Sequence, residues 1–390
     1  MDMQARIPTY TQGDSDNGVC AVLNEKSKEI IHGFINDLSI ATEEYVKYAQ
    51  GALQFDIDQS TTIPHSKVRA QLLLRTMLDC APMCGGDRGT RYAACAIVST
   101  RRDVNTLIGL ASDWLKFLLW PFKIAYRAKT DPDDESNWLH YSNDSEDTIE
   151  SAATDCPSFT EKLEAREDLK CAILVNICHR RLCSPAHPER GRGILEGTHI
   201  VRAPIIHCPD TDHPLKRRPF DATLEILQCY ADIPEAMMAQ LDQLTDAPEN
   251  GILMDSNMHT SFDAFWFCLM ETDVPHRYDV KWLSEPHWVI EFRGPKGPID
   301  FTDHSHRGIP LPNPKLIAIH AAIAHVLEFS GAGEYIDNIL DASELDEFAN
   351  SSGGPEASDP MDFDLEGSLM AFAEMNLHVL PVGGPAALVN

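Results

Sequence analysis

One stretch divides this chain. Between Asp131 and Asp168 stand 13 acidic residues and 2 basic ones. Like charge at that density resists burial, because each carboxylate taken from water needs a partner. Its first half, to about Asp155, reads as an acidic linker, and its second half, Phe159–Leu169, as a helix that opens the next domain. The boundaries that follow are 1–23, polar and expected to be unstructured; 24–130, a helical domain; 131–158, an acidic linker; and 159–340, a mixed domain. Residues 341–390 form an acidic tail with ten Asp or Glu and no Lys or Arg, a composition that does not collapse into a core. A chain of 390 residues has room for two or three cores.

In 24–130 the apolar spacing is helical. Ile30, Ile31, Phe34, Ile35 and Leu38 mark a first run, and Val68, Leu72, Leu73, Met77 and Leu78 a second. Cys84-Gly85-Gly86-Asp87 breaks the second, Tyr92–Val98 makes a third, and Asp103 is placed to cap a fourth ending at Trp120. The most apolar stretch, Leu107–Tyr126, is interrupted by Asp113, Lys116, Pro121 and Lys123. It reads as a buried helix, and no membrane partner is expected, since a span needs about 20 largely uncharged residues. Met1–Asp16 is polar without an apolar segment, so no secretory signal is expected. The 11 Cys are scattered, which points to reduced thiols in an intracellular protein, nuclear or cytoplasmic.

The mixed part reads differently. Cys171–Val175 and Leu195–Val201 are strand candidates, as are Tyr278–Trp282 and His287–Phe292. Phe220–Tyr230, Ile233–Leu244 and Asn257–Leu269 have helical spacing. Pro314–Phe329 is a helix with Pro at its start and Gly331 after its end. The fold class expected is α+β: a helical N-terminal domain, then a ββα core with extra strands and a C-terminal helix.

Two pieces carry chemistry. In Leu195-Glu196-Gly197-Thr198-His199, a His closes an apolar strand. About fifty residues on, Pro248-Glu249-Asn250-Gly251 leads to His259, nine residues after Asn250, and then to Asp263. A neutral His takes a proton from water near pH 7, an Asn amide ties loops together, and a His with an Asp one helical turn on offers a divalent metal two donors. The net charge of −28 argues against general coating of nucleic acid, which Lys and Arg drive by releasing counterions. Residues 179–218, however, hold eight Arg or Lys against four acids, among them Arg202, Lys216, Arg217 and Arg218. A basic flank of this kind suits a phosphate substrate.

These residues resemble a known family. Lys170-Cys171-Ala172-Ile173, Thr198-His199-Ile200-Val201, Pro248–Leu253 and Met258-His259 with Phe262-Asp263 look like the HNH-endonuclease (ββα-metal) domain of a group of fungal proteins. The likeness continues through His276–Trp282 and Leu311–Leu316 to Gly331–Ile336, and upstream to Leu72–Trp120, covering about residues 65–340. It implies a metal-dependent endonuclease acting on nucleic acid, DNA before RNA. His199 is then the general base, Asn250 the orienting residue, and His259 with Asp263 the metal ligands, with Asp255 and Glu196 as alternative helpers of His259. Arg202, Lys216, Arg217 and Arg218 become nucleic-acid contacts, and Mg²⁺ the expected ion ahead of Mn²⁺ or Zn²⁺. Two features depart from the wider family: Thr198 stands where an Asp ligand usually precedes the base His, and the Cys pairs of structural zinc are absent.

Plainer readings stay open. His199 also fits a core His bonded to a carbonyl, Asn250-Gly251 a turn, and His259 a helix-surface His. Cys178, His179, Cys183 and His187 have irregular spacing for a zinc finger. A catalytically silent domain of the same fold, serving as a nucleic-acid or protein interaction module, is the alternative function. A third is an adaptor working through its helical part and its acidic tail, which is a candidate surface for a protein partner.

Overall fold

The computed structural model describes residues 22–127, 157–174, 177–179, 191–206, 214–284 and 297–351. Five helices come first: α1 Glu25–Asn36, α2 Thr42–Phe55, α3 Ala70–Ser99, α4 Val104–Trp114 and α5 Trp120–Arg127, with a π-turn at Leu115–Leu119 joining the last two. Asn24 and Asp103 cap α1 and α4 by accepting from the backbone N–H of Ser27 and Thr106. The break expected near Cys84–Asp87 is a bend inside α3. Gly86 sits at φ 54°, where only a residue without Cβ is at ease.

The mixed part begins with α6, Phe159–Arg166, opened by a capping box between Ser158 and Glu161. Strands β1 (Ile177–His179) and β2 (Gly191–Gly193) pair in parallel. Strand β3, Leu195–His199, is followed after a single helical turn (Ala203–Ile206) by helix α7, Pro214–Ala231. Strand β4, Gly251–Asp255, pairs antiparallel with β3, setting Leu195 opposite Asp255 and His199 opposite Gly251. Helix α8, Ser256–Asp263, leaves β4 without a gap. Strands β5 (Phe267–Glu271), β6 (Arg277–Trp282) and β7 (Ile299–Asp300) make a second antiparallel sheet. Helices α9 (Pro314–Ser330) and α10 (Ala332–Ser351) finish the described chain, separated by Gly331 at φ 75°. The fold is thus mixed helix and small sheets, in keeping with the α+β expectation.

Three local expectations need correction. Cys171–Leu174 is not a strand. The Cys171 sulfur accepts from the backbone N–H of Leu174 and Asp255, both at 3.2 Å, and curls the segment, which keeps one β-type bond from Ala172 N–H to Leu253 O. The helix expected over Asn257–Leu269 ends at Asp263. Phe265 takes φ 62°, and the chain turns there into β5. Ile233–Leu244 is two single turns, Glu235–Met238 and Leu241–Leu244. Val175, the His287–Phe292 strand, residues 1–21, residues 131–156 of the linker and residues 352–390 of the tail lie outside the described residues. Leu23, expected to be unstructured, is buried, and residues 341–351 of the expected tail belong to α10.

One buried apolar cluster runs from Leu23 to Ile336 and spans both parts of the chain. Leu107–Tyr126 is largely buried as expected, and two of its charged residues are paired. Asp113 accepts from the N–H of Val22 and Leu23 at 2.7 and 2.9 Å, and Lys123 pairs with Asp337 at 2.9 Å. Helix α7 crosses α3 so closely that a Cβ on Gly85 or Gly89 would lie 2.2 Å from the Tyr230 carbonyl oxygen. Lys315, at the start of α9, donates to Cys84 O and Ala231 O and so ties three helices together. Among the described residues no single helix is long and apolar enough to cross a membrane.

Candidate active site on the β3–β4 hairpin

Alternate residues of a strand face opposite sides, and in β3 the two sides meet different helices. Gly197 and His199 lie against α6. A Cβ on Gly197 would stand 3.2 Å from the Phe159 ring, and one on Gly251, the partner of His199, 2.5 Å from it. These two glycines let Phe159 lie against the hairpin. Its ring stacks on the His199 imidazole with centroids 4.2 Å apart and 2° between planes. His199 Nε2 meets Asp246 Oδ1 at 3.0 Å, and this bond holds the Asp246 carboxyl below its ordinary range. In the neutral ring, an Nε2–H donated to Asp246 leaves the lone pair on Nδ1.

Asn250 is fully buried. Its Oδ1 accepts from Val201 N–H at 2.9 Å, and its Nδ2 donates to Val201 O at 2.8 Å and to Thr245 O at 3.1 Å. Its backbone carbonyl accepts from Ile200 N–H at 2.8 Å. Asn250 therefore pins the two residues after His199 to the turn before β4. Arg166 reinforces that turn from below. Fully buried, it donates to Pro248 O, Pro310 O and Gly251 O and pairs with Glu167.

The other side of β3 meets α8. His259 is buried there, with Nδ1 2.6 Å from Glu196 Oε2 and Nε2 3.1 Å from Asp263 Oδ2. Burial alone would keep the ring neutral, but the Asp263 and Glu196 carboxylates outweigh it and push His259 up to about 9. Arg202, which the tie at Val201 brings round, pairs with Asp263 Oδ2, and its Nη2 lies 3.1 Å from His259 Nε2. The Arg202 guanidinium also stands 5.7 Å over the Tyr126 ring, whose hydroxyl donates to Ile200 O. Helix α5 thus closes the site from the helical part.

The hairpin therefore gathers His259, Asp263 and Arg202 into one cluster and sets His199 against a different helix. Asp246 is the partner that residue spacing did not single out, since only the fold of the turn brings it to His199. Glu196, a candidate helper for the ion, meets His259 Nδ1 instead. Asp255 serves as the N-cap of α8. The side chains of Lys216, Arg217 and Arg218, and those of Cys178, His179, Cys183 and His187, lie outside the described residues.

Among the described residues no three His, Cys, Asp or Glu side chains converge as a ready cage for a metal ion. The donors that are present nevertheless suit a divalent cation. Glu196 on Nδ1 stands where an outer carboxylate would orient a ligating imidazole. His259 Nε2 and Asp263 Oδ2 lie side by side, and Asp263 Oδ1 is buried without a hydrogen-bond partner. The positive charge beside that pair in this arrangement belongs to Arg202.

Comparison with known families bears on this stretch. Residues 171–270 match the model of the family described as HNH endonuclease. That match takes in β3, Asn250, β4 and α8, and it marks this part of the chain as similar to an HNH endonuclease domain. No curated protein and no solved structure matches the chain.

Proposed function

We propose that this protein is an HNH-type endonuclease that hydrolyses nucleic-acid phosphodiester bonds with a divalent cation, Mg²⁺ ahead of Mn²⁺ or Zn²⁺, and DNA ahead of RNA. The observation that carries the reading is the family match over residues 171–270, on the segment where a His–carboxylate pair stands at a strand end. His199, with Nε2 held by Asp246, offers Nδ1 to take the proton of the attacking water. Asn250 keeps the segment after His199 in place. His259 and Asp263 would hold the cation, with Glu196 orienting the ring. Such an ion, when bound, stabilises the charge that builds on the leaving oxygen. Arg202, Lys216, Arg217 and Arg218 supply phosphate contacts, and the acidic tail from 341 is left for a protein partner. The free thiols of Cys80, Cys84, Cys95, Cys171 and Cys268, all buried, are in keeping with an intracellular protein.

The test is cleavage of plasmid and single-stranded DNA with Mg²⁺, Mn²⁺ or Zn²⁺, comparing wild type with His199→Ala and His259→Ala. Loss of a general base costs about 10²–10⁴-fold, so His199→Ala should fall by at least two orders of magnitude, and His259→Ala should lose cleavage with the cation it would hold. Folded wild-type protein that cuts nothing under any of these ions refutes the proposal. One observation favours a second reading, a silent interaction module: Arg202 stands on the donor pair that a catalytic ion would need. Retention on DNA at low salt, lost at high salt and without cleavage, would support that module.

A further inference from the structure

The pair between Arg202 and Asp263 is half made. A guanidinium and a carboxylate ordinarily meet fork to fork, with two N–H donors on two oxygens. Here Arg202 engages only Asp263 Oδ2, and the same Nη2 also faces His259 Nε2. Arg202 Nε and Asp263 Oδ1 are both buried and both lack a hydrogen-bond partner. An unused donor on one partner and an unused acceptor on the other, both away from solvent, are unfavourable in this arrangement. Each unused atom also matches a different species: Asp263 Oδ1 a hard cation, and Arg202 Nε a phosphate oxygen. The guanidinium also lies on the face of Tyr126 at 5.7 Å, a surface along which a planar cation can slide without losing the attraction.

We propose that Arg202 is a displaceable latch, its guanidinium and a divalent cation competing for Asp263 Oδ2 beside His259 Nε2. Entry of the cation turns Arg202 off the pair, sends the His259 Nε2 proton to solvent and frees the Arg202 donors for phosphate. The site is then closed to the ion while no substrate is at hand, and cation and nucleic acid bind cooperatively. The inference rests on the reading of His259 and Asp263 as the cation donors, and its test separates the two.

Mn²⁺ is titrated into the full chain and free ion is followed by electron paramagnetic resonance, with no substrate present. Wild type, Arg202→Gln, Arg202→Lys and His259→Ala are compared. If Arg202 competes, Arg202→Gln binds Mn²⁺ at least ten-fold more tightly than wild type, Arg202→Lys lies between them, and His259→Ala loses the site. Equal or weaker binding by Arg202→Gln, with binding still lost in His259→Ala, overturns the latch and leaves the cation reading standing. Absence of any Mn²⁺ site in folded wild type and folded Arg202→Gln overturns both. Should Arg202→Gln fail to fold, the Arg202 Nε–H resonance of wild type, assigned by its loss in Arg202→Lys, gives the answer under Mg²⁺ titration. A saturable shift of that signal supports displacement, and an unmoved signal at saturating Mg²⁺ refutes it.

Discussion

Asn250→Ala separates a structural role for Asn250 from a direct one in chemistry. The side chain makes three hydrogen bonds from a fully buried position, two with Val201 and one with Thr245. Each is worth about 1 kcal/mol net, and a buried backbone group left unpaired costs roughly 1–3 kcal/mol more. Both the N–H and the carbonyl of Val201, itself buried, lose a partner in the variant. The expected loss is about 3–5 kcal/mol, a large share of the roughly 5–15 kcal/mol that holds a typical domain together. Urea unfolding followed by tryptophan fluorescence should show the midpoint falling by about 1 M or more for a slope near 3 kcal/mol/M. Asn250→Asp sharpens the test. It keeps the acceptor for Val201 N–H but turns a second oxygen towards Val201 O and Thr245 O. At neutral pH it should be at least as unstable as Asn250→Ala. It should regain stability as pH falls and the carboxyl gains a proton to donate. An Asn250→Ala protein with the wild-type midpoint and no cleavage would refute the reasoning and place Asn250 on the substrate.

Other expectations concern the two faces of the hairpin and the core behind it. Gly251→Ala puts a methyl 2.5 Å from Phe159 Cζ and 2.8 Å from Leu163 Cδ1, which overpacking makes unfavourable by about 1–3 kcal/mol. Thermal melting should report the loss, and the His199 ring protons should lose their upfield shift; an unshifted spectrum would show that Phe159 has not moved. Glu196→Gln removes the carboxylate 2.6 Å from His259 Nδ1, so the His259 titration should move down from about 9, read by NMR, and an unchanged titration would deny Glu196 that role. His320 is buried in stacking contact with Phe262, and burial holds it down at about 3 despite the bond to Phe262 O. Its folded value lies below the ordinary 6.5, so its neutral form contributes full stability above pH 6.5. That contribution, a few kcal/mol, drains away as pH falls towards 3. His320→Leu should shift the acid-unfolding midpoint to lower pH, and a midpoint that stays put would count against the linkage.

What could be read from residues alone follows the range of the forces involved. Asp103 as a cap and Gly331 as a stop are local signals, and α4 and α9 obey them. The kink in α3 was legible from Gly85-Gly86 because φ 54° at Gly86 is a single-residue demand. The order of His199, Asn250 and His259 pointed to the hairpin and helix that carry them. Contacts across the fold were not legible. The Cys171 sulfur takes two backbone N–H groups and prevents a strand where the apolar run suggested one. Phe265 turns back where the Phe and Trp spacing suggested more helix, because the turn lets Phe267 and Leu269 enter the second sheet. Asp246 reaches His199 only through the turn that Asn250 and Arg166 hold, and no spacing rule encodes such a path.

Tyr126 has a consequence for how this protein can be handled and how it can vary. Its hydroxyl holds Ile200, its face lies under Arg202, and its ring packs edge-on against Phe265 and His320. The segment matching the nuclease family is therefore not a self-contained cassette. Cut out as 171–270, it would lose the Tyr126 contacts to Ile200 and Arg202 and uncover Phe265. Excision or grafting experiments should carry α3–α5 and α9 along, and a truncation that abolishes activity should first be suspected of loosening the hairpin. The helical part and the hairpin are then expected to be inherited as one body, with substitutions at position 126 tracked by compensating ones at 200, 202 and 265.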